Sequence, residues 1–143
     1  MAEQSYETHV RYHPIYHFFI VPVFAINALV AIVIAVRHFS AMTVWLAIVG
    51  LALAGMTLII RTYPLRVQDR LIRLEEQLRL QRVLPSDLQP RIGDLHTSQL
   101  IAMRFCGDDE VCELARAILD GDVKSAGEIK QRIKSWRADW LRV

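Results

Sequence analysis

Hydrophobic and polar positions are sorted into blocks along this chain. Ile15 to Val36 contains no Asp, Glu, Lys or Arg, and neither does Met42 to Ile60. A helix needs roughly 20 apolar residues to cross a hydrocarbon core about 30 Å thick. The two blocks therefore predict membrane-spanning helices over about 15–36 and 42–60. The link between them, Arg37 to Ala41, has room only for a tight antiparallel hairpin. From Arg61 onward charge becomes dense and apolar residues recur at helical spacing. Val67, Leu71, Leu74 and Leu78 follow one another at 4, 3 and 4 residues, one face of a helix. Such a stripe packs on its own domain or forms a two-heptad seam between subunits, and its shortness favours the first.

Punctuation residues divide the rest. Pro64 suits the first turn of a helix, so a new helix is expected to start there. Ser86 with Gln89 and Ser125 with Glu128 match capping boxes. Thr97 to Phe105 reads as a short apolar helix stopped by Gly107. Asp108, Asp109 and Glu110 then open another, because acids favour a helix N-terminus. Leu114, Ala115, Ile118 and Leu119 give it a buried face, and a last helix presents Ile129, Ile133 and Trp136. No run alternates with period two, so no strand is predicted. The expected fold is all-α: an N-terminal interfacial segment (1–14), a transmembrane helical hairpin (15–61) and a small cytoplasmic helical domain (62–143).

Composition sharpens this. A chain 53% hydrophobic and 22% charged reconciles the two figures only by segregating them. A signal peptide has a basic start and a short apolar run, whereas here Glu3 and Glu7 precede a long run and a second span follows at once. A soluble domain this small has too little other apolar surface to wrap two helices that are hydrophobic all round. Arg61, Arg66, Arg70, Arg73, Arg79 and Arg82 crowd the exit of the second span, against Arg37 alone in the link. Basic residues mark the cytoplasmic side, so both termini are expected inside. A net charge of +2 gives no electrostatic case for nucleic acid.

Small residues, Ala28, Ala31 and Ala35 on the first span and Ala47, Gly50, Ala54 and Gly55 on the second, allow close helix approach. Asn27, the one strongly polar residue inside a span, is expected to make an interhelical hydrogen bond. The helix-packing set is thus Asn27, Ala31, Gly50 and Ala54. Asp69 with Arg73 and Glu75 with Arg79 are spaced as i,i+4 ion pairs. Arg11, Tyr12, Tyr16, Arg61, Arg66 and Arg70 are the expected lipid-interface residues, since aromatic and basic side chains sit at headgroup level. His9, His13 and His17 stand four apart, but Pro14 argues against one continuous helix through them. His17 is the one cofactor-ligand candidate. Cys106 and Cys112, six apart with no neighbouring His or Cys, read as small hydrophobes rather than a metal or redox pair. No phosphate loop, nucleophile elbow or zinc-binding His-Glu pair is present. No cofactor, metal or catalytic residue is therefore assigned.

The segments His9 to Phe18, Arg66 to Glu75, Gln99 to Phe105 and Ile129 to Asp139 resemble a bacterial family of small two-span membrane proteins known only as a domain of unknown function. The resemblance covers nearly the whole chain and implies the bacterial inner membrane; it carries over no activity. The expected role is non-enzymatic: an accessory subunit or adaptor of a larger inner-membrane assembly, with Leu71, Leu74 and Trp140 as partner-binding candidates. Its surroundings would be the lipid bilayer plus a protein partner or a second copy. The alternative is a lipid- or cofactor-binding protein using the N-terminal His, Arg and Tyr residues at the membrane interface.

Overall fold

A computed structural model describes Tyr6 and residues 12–139. Among these, the chain is helical, with α1 (Val21–Arg37), α2 (Ala41–Val83), α3 (Thr97–Met103), α4 (Val111–Leu119) and α5 (Ala126–Arg132). A π-turn, Tyr16–Ile20, leads into α1, and a 3-10 turn, Gln89–Asp94, follows α2. There is no strand among the described residues, only one isolated antiparallel bridge between Cys106 and Trp136. The chain divides into two compact units, Arg11–Leu65 and Arg66–Val143.

The first unit is a helical hairpin. Tyr16–Arg37 holds 22 residues, about 33 Å at 1.5 Å per residue, and with α2 it gives two helices long and apolar enough to cross a membrane. Pro22 cannot donate to the helix ladder, and it sits in the first turn of α1, directly after the wider π-turn. At the tip, Ser40 and Thr43 cap α2 reciprocally: the Ser40 N–H donates to Thr43 Oγ at 3.0 Å, and the Thr43 N–H to Ser40 Oγ at 3.1 Å. Within the hairpin Gly50 lies against α1 so closely that a Cβ there would sit 3.2 Å from the Ala28 Cα. Ala28 and Ala47 are buried, while Phe18, Val36, Trp45, Leu46 and Leu58 remain open on the outer faces.

The second unit builds a conventional core. Leu80 of α2, Leu84 just after it, Ile92, Leu100 and Met103 of α3, Val111 and Ile118 of α4, and Ile129 of α5 are all buried together. Each such side chain contributes on the order of 1.5–3 kcal/mol by leaving water. Ser125 caps α5, accepting from the Glu128 N–H at 3.1 Å while Glu128 accepts from the Ser125 N–H at 3.3 Å.

Several local expectations are corrected. Helix α2 does not restart at Pro64 but runs through it; the proline forfeits one backbone bond and the helix continues on either side. Ser86 caps no helix, because the chain enters a 3-10 turn and Gln89 Nε2 donates instead to the Leu84 carbonyl at 2.9 Å. Glu110 directly precedes α4 without capping it by its side chain. Its carboxylate accepts from the Lys134 N–H at 3.1 Å and the Ser135 N–H at 2.9 Å, fastening the segment after α5. The last helix stops at Arg132, so Trp136 is not on it. The Gly107 N–H donates to the Ser135 carbonyl at 2.9 Å and the Arg137 N–H to the Phe105 carbonyl at 2.7 Å. Those bonds hold the chain extended and stack the Trp136 ring on Phe105 at 4.8 Å.

Candidate functional site

At the open end of the hairpin the structure gathers several of the interface candidates. The Tyr16 hydroxyl donates to the Thr57 carbonyl at 2.7 Å, tying the π-turn to α2. That carbonyl is exposed to a side-chain donor near a helix segment where Thr57 Oγ also bonds back to Ala54 at 2.7 Å. The Arg61 guanidinium sits 5.8 Å from the Tyr16 ring centre, within cation–π range. Tyr12 and Tyr16 pack edge-on against the His17 ring at 5.3 Å and 4.9 Å. His17 Nδ1 lies 3.0 Å from the His13 carbonyl and 3.1 Å from the His13 N–H, so that nitrogen is engaged with backbone.

Next to this cluster Tyr16, Ile20, Phe24, Leu53, Met56 and Ile60 line an apolar cavity of about 200 Å³. That is below the roughly 300 Å³ at which small-molecule sites begin, and it suits a length of hydrocarbon chain better than a flat cofactor. No group of three His, Cys, Asp or Glu side chains placed to hold a metal occurs among the described residues. His17 belongs to no such group among the described residues.

The packing candidates are distributed differently from expectation. Gly50 meets Ala28 and the Asn27 side chain; Ala31 and Ala54 are half-buried. Asn27 makes no side-chain hydrogen bond among the described residues, and the interhelical bond belongs to Tyr16 and Thr57. The Asn27 side chain lies exposed at the edge of the helix–helix seam with its oxygen beside Gly50, whereas the Tyr16 phenol at the helix start reaches a carbonyl across the hairpin. His9, Arg11 and Trp140 lie outside the described residues. Arg66 and Arg70 are exposed further along α2.

In the second unit the chemistry centres on Arg79, which sequence spacing had paired with Glu75. Its Nε donates to Asp108 at 2.8 Å, one terminal nitrogen to Glu76 at 2.8 Å and the other to the Cys106 carbonyl at 2.6 Å. Arg79 and Glu76 are both buried. Burial raises the Glu76 carboxyl above the usual carboxylate range; Arg79 and Arg137 pull it back without cancelling that effect. Burial works against the Arg79 charge, but Glu76 and Asp108 more than offset it and hold the guanidinium charged. Beside this pair Arg104 bonds Asp139 at 3.3 Å and lies 4.5 Å over the Phe105 ring. The arrangement locks the extended Ser135-to-Asp139 segment onto α2; it presents no nucleophile. Cys106, buried against Glu110, has its thiol pushed up to about 12, first by burial and then by that carboxylate, which leaves it unreactive.

The stripe Val67, Leu71, Leu74 and Leu78 is left half open or more, at 67%, 54%, 54% and 50% exposed, and the domain meets only its edge, in a groove between Leu71 and Leu78 and the Arg137–Asp139 segment. The face of α2 that the domain covers carries Ile72, Glu76, Arg79 and Leu80. Two charged residues in that set hid it from a hydrophobic reading. The only signal available was its spacing of 4, 3 and 1 residues beside the apolar stripe.

A family model described as a family of unknown function (DUF6526) matches residues 1–143. No curated protein and no solved structure matches the chain.

Proposed function

The chain belongs to the family of unknown function DUF6526, and on that premise we propose that it is a non-enzymatic, membrane-anchored helical adaptor. In this reading the hairpin spans the bacterial inner membrane with both termini cytoplasmic, and the Arg66–Val143 unit is an interaction module serving a larger membrane assembly. One observation carries it: α2 is a single helix whose first part is apolar on open faces and whose last part nucleates a packed polar-surfaced core. Contiguous exposed apolar surface of that extent is not tolerated in water, and a lipid phase removes the penalty. The Arg-rich stretch from Arg61 to Arg82 supports the cytoplasmic placement. No nucleic acid is called for at this charge.

The test is purification of the tagged chain from native membranes in a mild detergent, followed by mass spectrometry and a visible spectrum. A stoichiometric partner protein supports the adaptor reading. A colourless chain with neither partner nor second copy removes it. The alternative reading, a lipid-binding protein, draws on the apolar cavity beside Tyr16 and the Arg61 cation at its edge. Lipid retained stoichiometrically through purification and lost in Tyr16→Ala would favour it.

A further inference from the structure

The exposed stripe on α2 has a defined geometry. Written as a heptad, Val67 and Leu74 occupy d while Leu71 and Leu78 occupy a. Residues Ile72, Glu76, Arg79 and Leu80 then fall at b, f, b and c, the outer positions, and it is these that the chain's own domain covers. The domain thus packs mainly on b, c and f, and its Arg137–Asp139 segment reaches the edge of the seam, where Leu71, Glu75 and Leu78 border an open groove. The seam's flanks are charged: Arg70 falls at g and Glu75 at e, both exposed.

We propose that this seam binds a second copy of the chain in a parallel two-stranded coiled coil, with Arg70 of each copy facing Glu75 of the other. Two observations commit the surface to that occupant. The first is direction. This inference rests on the membrane reading above: when both copies leave one membrane on the same side, their α2 helices run parallel, and an antiparallel pairing is ruled out. The second is charge. In a parallel coiled coil a g residue meets the e residue about five positions on in its partner, and residue 75 is five on from residue 70. The two-fold axis makes each contact occur twice. Two heptads are short for chains meeting in solution. Confinement to one bilayer raises their effective concentration, so a modest seam suffices.

The experiment uses the full chain in native membranes. Leu71→Cys and Leu74→Cys place thiols that meet their own counterparts across the axis, while Arg73→Cys, at c, points away. The unsubstituted chain, with Cys106 buried and Cys112 half-buried, sets the background for oxidative cross-linking. Disulfide-linked dimers at Leu71→Cys and Leu74→Cys but not at Arg73→Cys are expected. Charge reversal supplies a test that leaves the core untouched: Arg70→Glu or Glu75→Arg alone weakens dimerisation roughly tenfold, since an attraction becomes a repulsion twice over, and the double reversal restores it. Equal cross-linking at all three positions, or cross-links only to another protein, overturns the second-copy assignment while leaving the membrane reading intact. Absence of the chain from the membrane fraction overturns the membrane reading itself, and with it the parallel direction.

Discussion

Replacing Arg79 by Met removes the centre of the only buried charge pair that the described part of the second unit contains. The methionine keeps most of the volume and deletes the charge. Glu76 then loses a 2.8 Å partner and keeps only Arg137, which is 3.7 Å away and half exposed. The Cys106 carbonyl loses its 2.6 Å donor as well. Breaking one side of a buried pair costs about 3–5 kcal/mol, and an unsatisfied buried carbonyl falls within that range. Asp108 is mostly exposed and adds little, because water replaces its partner. The pH dependence follows from Glu76. Its folded-state pKa is already raised, so its protonated form favours the fold. That advantage is complete below the unfolded-state value and fades as pH rises through the folded one. Without Arg79 the upward shift grows, so the penalty is largest near neutral pH and shrinks on acidification. The assay is alkylation of Cys106 in the full chain in mild detergent, read by peptide mass spectrometry. Its buried thiol, with a pKa near 12, reacts only when the unit opens. A cost of 3 kcal/mol or more raises that rate by roughly a hundredfold. An increase below about threefold, or a penalty that grows as pH falls, would refute the reasoning.

Two further substitutions probe separate contacts. A Cβ on Gly107 would fall 2.6 Å from Ser135 Oγ and 3.1 Å from Ser135 Cβ, in a segment whose backbone Glu110 holds. Gly107→Ala should cost about 1–3 kcal/mol and raise Cys106 alkylation at least several-fold; a wild-type rate would show that the segment yields freely. In the hairpin Gly50 faces backbone at Ala28, which cannot rotate away. Gly50→Leu should separate the helices and speed amide hydrogen exchange around Thr57 in micelles, whereas unchanged exchange would mean that the close approach is unimportant.

The hairpin was legible because long apolar helices announce themselves by what they lack: charge is absent from Ile15–Val36 and Met42–Ile60, and no tertiary detail alters that. The short link and the Ser125 cap were readable for a similar reason, being set by neighbours in sequence. What escaped were features decided by distant chain. Trp136 has helical spacing from Ile129 and Ile133, but the Phe105 backbone and ring capture it in extended form. Glu110 is rich in helix-starting character, yet two N–H groups 24 and 25 residues away claim its carboxylate. The face of α2 that meets the core contains Glu76 and Arg79, whose burial becomes acceptable only because each finds the other. An apolar stripe was therefore assigned to the domain, when the domain uses the charged one. At the hairpin end Tyr16 and Arg61 were read as separate interface residues and His17 as a cofactor-ligand candidate, and the structure joins the three at the Tyr16 ring.

The central claim is that the hairpin lies in a bilayer and holds the helical unit on the cytoplasmic face. Single cysteines introduced at Ser40, in the hairpin link, and at Glu113, on α4, test it directly in intact bacterial cells. After alkaline extraction the chain should remain with the membrane pellet. A membrane-impermeant maleimide added outside should label Ser40→Cys, and Glu113→Cys only once the inner membrane is broken. A chain released by alkaline extraction, or labelling at Glu113→Cys in intact cells with Ser40→Cys protected, would contradict the account.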